Sequence, residues 1–315
     1  MTSKLLPDRH KQRDFFAVDI FDSFKDDIAS MEHPVFSLSK KPDHRMLEYS
    51  HNGNTVQIKP SYTGLATIFD KDILLYLASS LMATKNAGGA ISQRIQFTSY
   101  DYFVSTNKGT GGIQYKQIKE ALERLSGTRI QTNIQTKGIE VTEEFGLIDS
   151  WRIVNEDVTG KAVALEVKLS DWFYNSILGD EVLTIDKDYF RLRKPTEKRL
   201  YELARKHCGE QSCWKIKIDK LKLKLGTVTP IKKLKFNLKE LAKSNHLPEY
   251  NISLEDDVIV VSRKEDPKVK RGLPKHISNK EIEKVARVGE SYDQVRNRLS
   301  KKGKIDKLKE AVRGS

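Results

Sequence analysis

The chain has 315 residues, 38% of them apolar and 31% charged, which suits about two globular domains with polar surfaces. It has no run of about 18 apolar residues, its first residues (MTSKLLPDRHKQRDFF) lack the apolar stretch of a signal peptide, and it has only two cysteines, Cys208 and Cys213. No membrane span, secretory leader or disulfide framework is expected, and a cytoplasmic location is. The net charge of +13 is unevenly placed: residues 191–245 hold 17 Lys and Arg against 5 Asp and Glu, and residues 246–315 hold 17 against 12. Residues 1–190 hold 22 against 26. A cationic C-terminal half points to a polyanion, nucleic acid above all.

Residues 1–44 read as an N-terminal arm, with partial helical spacing in FFAVDIFDSFKDDIASM (15–31) and an irregular stretch after it. RMLEYSHNGNTVQIKP (45–60) is a predicted hairpin around Asn52-Gly53. DKDILLYLASSLMATKNAGG (70–89) is a predicted helix, capped by Asp70 and stopped by Gly88-Gly89, with Ile73, Leu74, Leu77 and Leu81 on one face. Two more helices follow at 98–106, with Thr98 as cap, and at 112–126, separated by the glycine-rich KGTGG. Strands are expected at 128–135, within 138–154 and at 162–170, and WFYNSIL (172–178) is an apolar, buried segment.

A similar order then recurs. Helices are expected at 194–209, within 214–226 and at 230–246, the first and last opened by proline. A hairpin at 249–265 turns near Glu255-Asp256, and residues 266–315 form a polar linker and a charged, mobile tail. Three helices with a tight turn before the last make a helix-turn-helix, and a hairpin after it makes a winged helix. The predicted fold is α+β: two tandem winged-helix domains at 45–190 and 191–265, the wing of the first being strands 128–135 and 139–148.

Duplex reading suits the last helix of each half, because the major groove admits one helix and its first turns reach base edges. In the first half those turns carry Gln114, Tyr115, Lys116, Gln117 and Lys119, while Thr110 and the glycine amides can seat a phosphate. Arg129 and Gln131 would stand on the wing. Dimerisation is the rival role for this helix. In the second half Lys232, Lys239 and Lys243 crowd the face opposite Leu234, Leu238 and Leu241, with Lys233 beside them and Lys235 at the margin. Phe236 projects onto the basic side, where packing beneath the wing is favoured over contact with a thymine methyl. Arg263 and Lys264 end the second wing, within reach of a phosphate or the minor groove.

No catalytic constellation is legible. The phosphate-loop pattern G-x-x-x-x-G-K-[ST] and a His-x-His pair are both missing, and Cys208 with Cys213 makes a poor zinc pair. No cofactor, no metal and no enzymatic activity are expected.

Three stretches carry a family resemblance: 31–82, FTSYDYFVSTNKGTGGIQYKQIKEALERLSGTRIQTNI (97–134) and KLKFNLKELAKSNHLPEYNISLEDDVIVVSRK (233–264). Together they resemble the replication initiator protein A family of bacterial plasmids, over about residues 14–265. The resemblance implies binding to repeated sites in origin DNA, melting of adjacent A·T-rich DNA and recruitment of the host replication initiator and helicase machinery. It also implies dimerisation through the first domain and repression of the protein's own promoter. A winged-helix repressor without a replication role, a rolling-circle nicking enzyme and a protein-interaction scaffold are the alternatives.

Overall fold

A computed structural model describes residues 5–10, 15–18, 34–51, 54–136, 139–155, 162–179, 182–208 and 213–264. The expected tail, the Asn52-Gly53 turn and most of the 15–31 segment lie outside the described residues. The chain opens with β1 (Phe15–Val18) and the hairpin β2 (Leu47–His51)–β3 (Asn54–Lys59). Next come α1 (Lys71–Asn86), β4 (Arg94–Thr98), α2 (Ser99–Ser105) and α3 (Gly112–Gly127). Four strands follow, β5 (Arg129–Thr136), β6 (Ile139–Gly146), β7 (Ile148–Asn155) and β8 (Ala162–Leu169), then α4 (Asp171–Leu178) and β9 (Val182–Ile185). The second half is α5 (Pro195–His207), β10 (Cys213–Lys217), α6 (Ile218–Leu225), α7 (Ile231–Ser244), β11 (Tyr250–Glu255) and β12 (Val258–Arg263).

One arrangement is built twice. In the second half the sheet order is β10-β12-β11, with the last strand in the middle; in the first half β4-β8-β7 repeats that order. Each sheet is preceded or interrupted by three helices in the same sequence, α1, α2, α3 and α5, α6, α7. The two halves are therefore winged helices with a short strand between the first and second helix.

Apolar spacing dictates the packing. Ile118, Leu122 and Leu125 of α3 meet Leu74, Leu77 and Leu81 of α1, Phe103 and Val167 in one core. Leu234, Leu238 and Leu241 of α7 meet Leu200, Leu221, Leu225, Ile259 and Val261 in another. Each such side chain contributes about 2 kcal/mol relative to exposure. Leu75 of α1 joins the second core although its neighbours Leu74 and Leu77 sit in the first. One helix thus faces both cores.

The seam beside it is ionic. Lys198 of α5 donates to Asp72 of α1 at 2.7 Å, and Lys108, from the turn before α3, donates to the same carboxylate at 2.8 Å. Lys198 is 1% and Asp72 2% exposed at the side chain. Lys198 also lies 4.1 Å from the centre of the Tyr189 ring, and Lys71 pairs with Glu202 at 3.0 Å. Burial alone would raise the Asp72 pKa. The two ammonium groups outweigh it and hold the carboxyl below its usual range.

N-terminal segments brace both helix-turn-helix turns. Asn107, at a positive φ of 55°, donates to the Pro7 carbonyl (2.9 Å) and accepts from the Arg9 amide (2.8 Å). Gly226 ends α6 at φ 65°, and a Cβ there would stand 2.0 Å from Pro34. Only glycine satisfies both demands.

Several local expectations change. Residues 15–18 form a strand paired antiparallel with β9, not a helix. Asp70 makes no cap bond to α1; it accepts from the Thr67 amide and is held in a two-pronged pair by Arg124, at 2.7 and 2.8 Å. Thr98 does cap α2, accepting from the Asp101 amide. The hairpin after α3 is not the topological wing. β5 pairs with β3, giving a four-stranded sheet β2-β3-β5-β6, and β7–β8 occupies the position that β11–β12 holds in the second half. The reason is apolar pairing across strands: Val56 and Ile58 bury against Thr132 and Ile130. The second hairpin turns at Asp256-Asp257, one residue later than expected, with Asp256 at φ 51°. WFYNSIL is α4, burying Phe173 and Ile177 but leaving Leu178 46% exposed.

Candidate nucleic-acid interface

The two final helices stand with their apolar stripes inward. On α7, Lys232, Lys233, Phe236, Lys239 and Lys243 are exposed. Lys243 reaches Glu240 at 3.3 Å, and Lys235 is paired with Asp257 of the β11–β12 turn. Lys232, Lys233 and Lys239 have no ion-pair partner among the described residues. The stretch before α7 adds exposed Lys215, Lys217 and Lys220.

Phe236 overturns the expectation that it packs beneath the wing. It is 56% exposed, with the Lys233 ammonium 4.8 Å from its ring centre. The buried stripe explains this: a residue two positions after Leu234 and two before Leu238 points away from both.

The hairpin ends of the second half are partly committed. Lys264 donates to the carbonyls of Asn245 and Leu247, both at 2.8 Å, just past the end of α7. Burial lowers its pKa. Arg263 lies 3.9 Å from Glu249. Lys264 therefore satisfies carbonyls beyond a helix C-terminus, a role that no local pattern announces.

On α3, Lys116 is 82% exposed and faces Glu120 at 3.9 Å. Gln117 and Lys119 are exposed, Gln114 is half-buried, and Tyr115 packs edge-on against Phe103 with ring centres 5.1 Å apart. Thr110 is exposed in the turn, and α3 begins after Gly111 without a side-chain cap. Arg129 lies away from the β7–β8 wing, on β5, sharing Glu144 with Lys59. Gln131 stands two residues further along the same strand, opposite Gln57.

Sequence reasoning missed the flank of α3. A cleft of about 480 Å³ runs between α3 and the 39–42 turn, lined by Lys40, Lys41, Gln114, Gln117, Arg124 and Arg193 among others. The turn is pinned: Ser37 donates to Asp43, and Arg45 holds the same carboxylate at 2.8 and 2.7 Å. The Arg45 guanidinium keeps the Asp43 carboxyl down at about 2. Only the lysine pair was a local signal, and its neighbours come from distant sequence.

Cys208 is buried and donates to the Val261 carbonyl, and burial pushes its thiol up to about 11. His207 stacks on Trp214 with ring centres 4.4 Å apart. Among the described residues no cluster of three His, Cys, Asp or Glu is placed to hold a metal, and no helix is long and apolar enough to cross a membrane.

Comparison with known proteins agrees with the doubled architecture. Residues 25–252 match the family model described as replication initiator protein A. A protein of Wigglesworthia glossinidia brevipalpis named "Putative replication protein" is 42% identical over 261 residues, covering 81% of this chain and 94% of that one. A selenomethionine crystal structure of domains 2 and 3 of RctB superposes at a TM-score of 0.57 with 12% identity, over 74% of this chain and 96% of that one. A second crystal structure of the same RctB domains gives 0.54 at the same identity and coverage. At 12% identity the likeness is one of fold.

Proposed function

The chain belongs to the replication initiator protein A family, and on that premise we propose that it starts replication by gripping repeated duplex sites in an origin, chiefly through α7. The observation that carries this reading is the outward face of α7, where Lys232, Lys239 and Lys243 surround Phe236 with a single acid, Glu240, among them. Lysines so close repel one another, and a row of phosphates relieves that repulsion while releasing condensed counterions.

We take residues 45–190 and 191–265 as the two functional units. Their final helices enter successive major grooves, roughly one helical turn apart. Strain from adjacent bound copies then helps open A·T-rich DNA, and host replication factors join the opened site. The outward face of α3 carries Glu120 and Glu123 beside Lys116 and Lys119. Its mixed charge favours a second role for the first half, contact with a second copy of the chain.

The test is binding of the full chain to duplexes selected by it from a random pool, titrated over salt. A steep salt dependence and a footprint spanning two major grooves support the reading; sequence-indifferent binding overturns it. Incubation with supercoiled origin plasmid and magnesium is the second arm: a nicked product would show an enzyme rather than an initiator of this kind.

A further inference from the structure

We propose that Phe236 reads thymine, through the C5-methyl group, at the centre of the duplex site held by α7; this rests on the DNA-binding reading above. A lone exposed apolar residue is ordinary on a protein surface. Phe236 differs in its setting. It lies opposite the buried stripe of Leu234, Leu238 and Leu241, on the midline of the exposed face, with Lys232 one turn before it and Lys239 and Lys243 one and two turns after. The one acid on that face, Glu240, is drawn to Lys243.

A helix in the major groove presents its flanking cations to the two phosphate walls and its midline to the base edges. The thymine methyl is the apolar group displayed there. A phenyl ring on that midline offers neither hydrogen-bond donor nor acceptor, so it cannot distinguish bases by polar contacts. It gains free energy only by covering an apolar group. Lys233 holds one face of the ring at 4.8 Å, leaving the rest of the ring open to solvent. The same register on α3, set by Ile118, Leu122 and Leu125 against Leu234, Leu238 and Leu241, places Glu120 where Phe236 stands. At the register of Phe236 the first half therefore offers a carboxylate in place of an apolar ring.

The experiment uses the full chain and a duplex that it has selected from random sequence, with each thymine replaced in turn by uracil, which lacks only the methyl. Wild type should lose about fourfold in affinity at one or two adjacent positions, the free energy of one buried methyl group. Phe236→Ala should bind thymine and uracil forms equally, and Phe236→Leu, still apolar, should keep part of the difference. Phe236 is exposed, so these variants should fold; the circular dichroism of each checks it. Wild type that selects a sequence yet ignores every uracil overturns the proposal, as does Phe236→Ala that keeps the uracil penalty. Wild type that selects no sequence overturns the DNA reading beneath it.

Discussion

Aligned on their buried residues, α3 and α7 agree inside and disagree outside. Lys116 and Lys232 coincide, but Glu120 and Glu123 of α3 stand where α7 carries Phe236 and Lys239. The first half also spends its cations internally: Lys108 on Asp72, Arg124 on Asp70, and Lys59 and Arg129 on Glu144. The second half leaves Lys232 and Lys239 facing water. One scaffold has been used for two surfaces, one suited to a polyanion and one suited to mixed company. Repetition of a fold does not repeat its chemistry.

The comparison breaks most readily at the seam. Lys198→Ala leaves Asp72 buried with one cation fewer and should cost about 3–5 kcal/mol in urea unfolding. An unchanged midpoint would mean that the Lys198–Asp72 pair adds nothing to the seam beyond its apolar contacts and the Lys71–Glu202 pair. Next in size is the contrast between lysine pairs. Lys239→Ala with Lys243→Ala should weaken duplex binding at every sequence and lower the salt slope by about two. Lys116→Ala with Lys119→Ala should change that slope by less than about one; equal losses would erase the division of labour.

A gain of function sharpens the same point. Glu123→Lys copies Lys239 into α3 and should raise the salt slope by about one. No gain would mean that α3 does not approach the duplex.

The smallest effect is pH-dependent. Asp43 is held at about 2 by Arg45, below the 3.8 of a free carboxyl. A carboxyl depressed in the folded state stabilises the fold above its unfolded pKa, and that stability is lost as pH falls through the folded value. Because the Arg45 side chain is half exposed, Asp43→Asn should cost about 1 kcal/mol at neutral pH. The difference from wild type should fade between pH 4 and pH 2, and a difference constant over that range would assign the effect to packing.

The helices were the legible part of this molecule. The Ile and Leu spacing of α1, α3 and α7 and the glycine and proline punctuation around them are local signals, and the packing follows them. β4 and β10 escaped because five residues beside a helix carry little period. The wing of the first half escaped for a different reason: β5 joins β3 through pairing of Ile130 with Ile58, a choice made about 70 residues away in sequence. At the candidate interface, helical periodicity placed the α7 lysines and Phe236 on one face. It could not show that Lys264 bonds carbonyls beyond that helix, or that Lys40 and Arg193 share a cleft with α3.

Leu6 and residues 15–18 have partners made long after them. Leu6 exchanges hydrogen bonds with Arg191, and β1 closes onto β9. At ordinary ribosomal speed, roughly 10–40 s separate those partners at the peptidyl-transfer centre. Through that interval Pro7 and Arg9 have Asn107 to hold them, but β1 lacks the strand that pairs with it, so a ribosome stalled before residue 182 should hold a chain that protease cuts more readily at β1 than it cuts the complete fold.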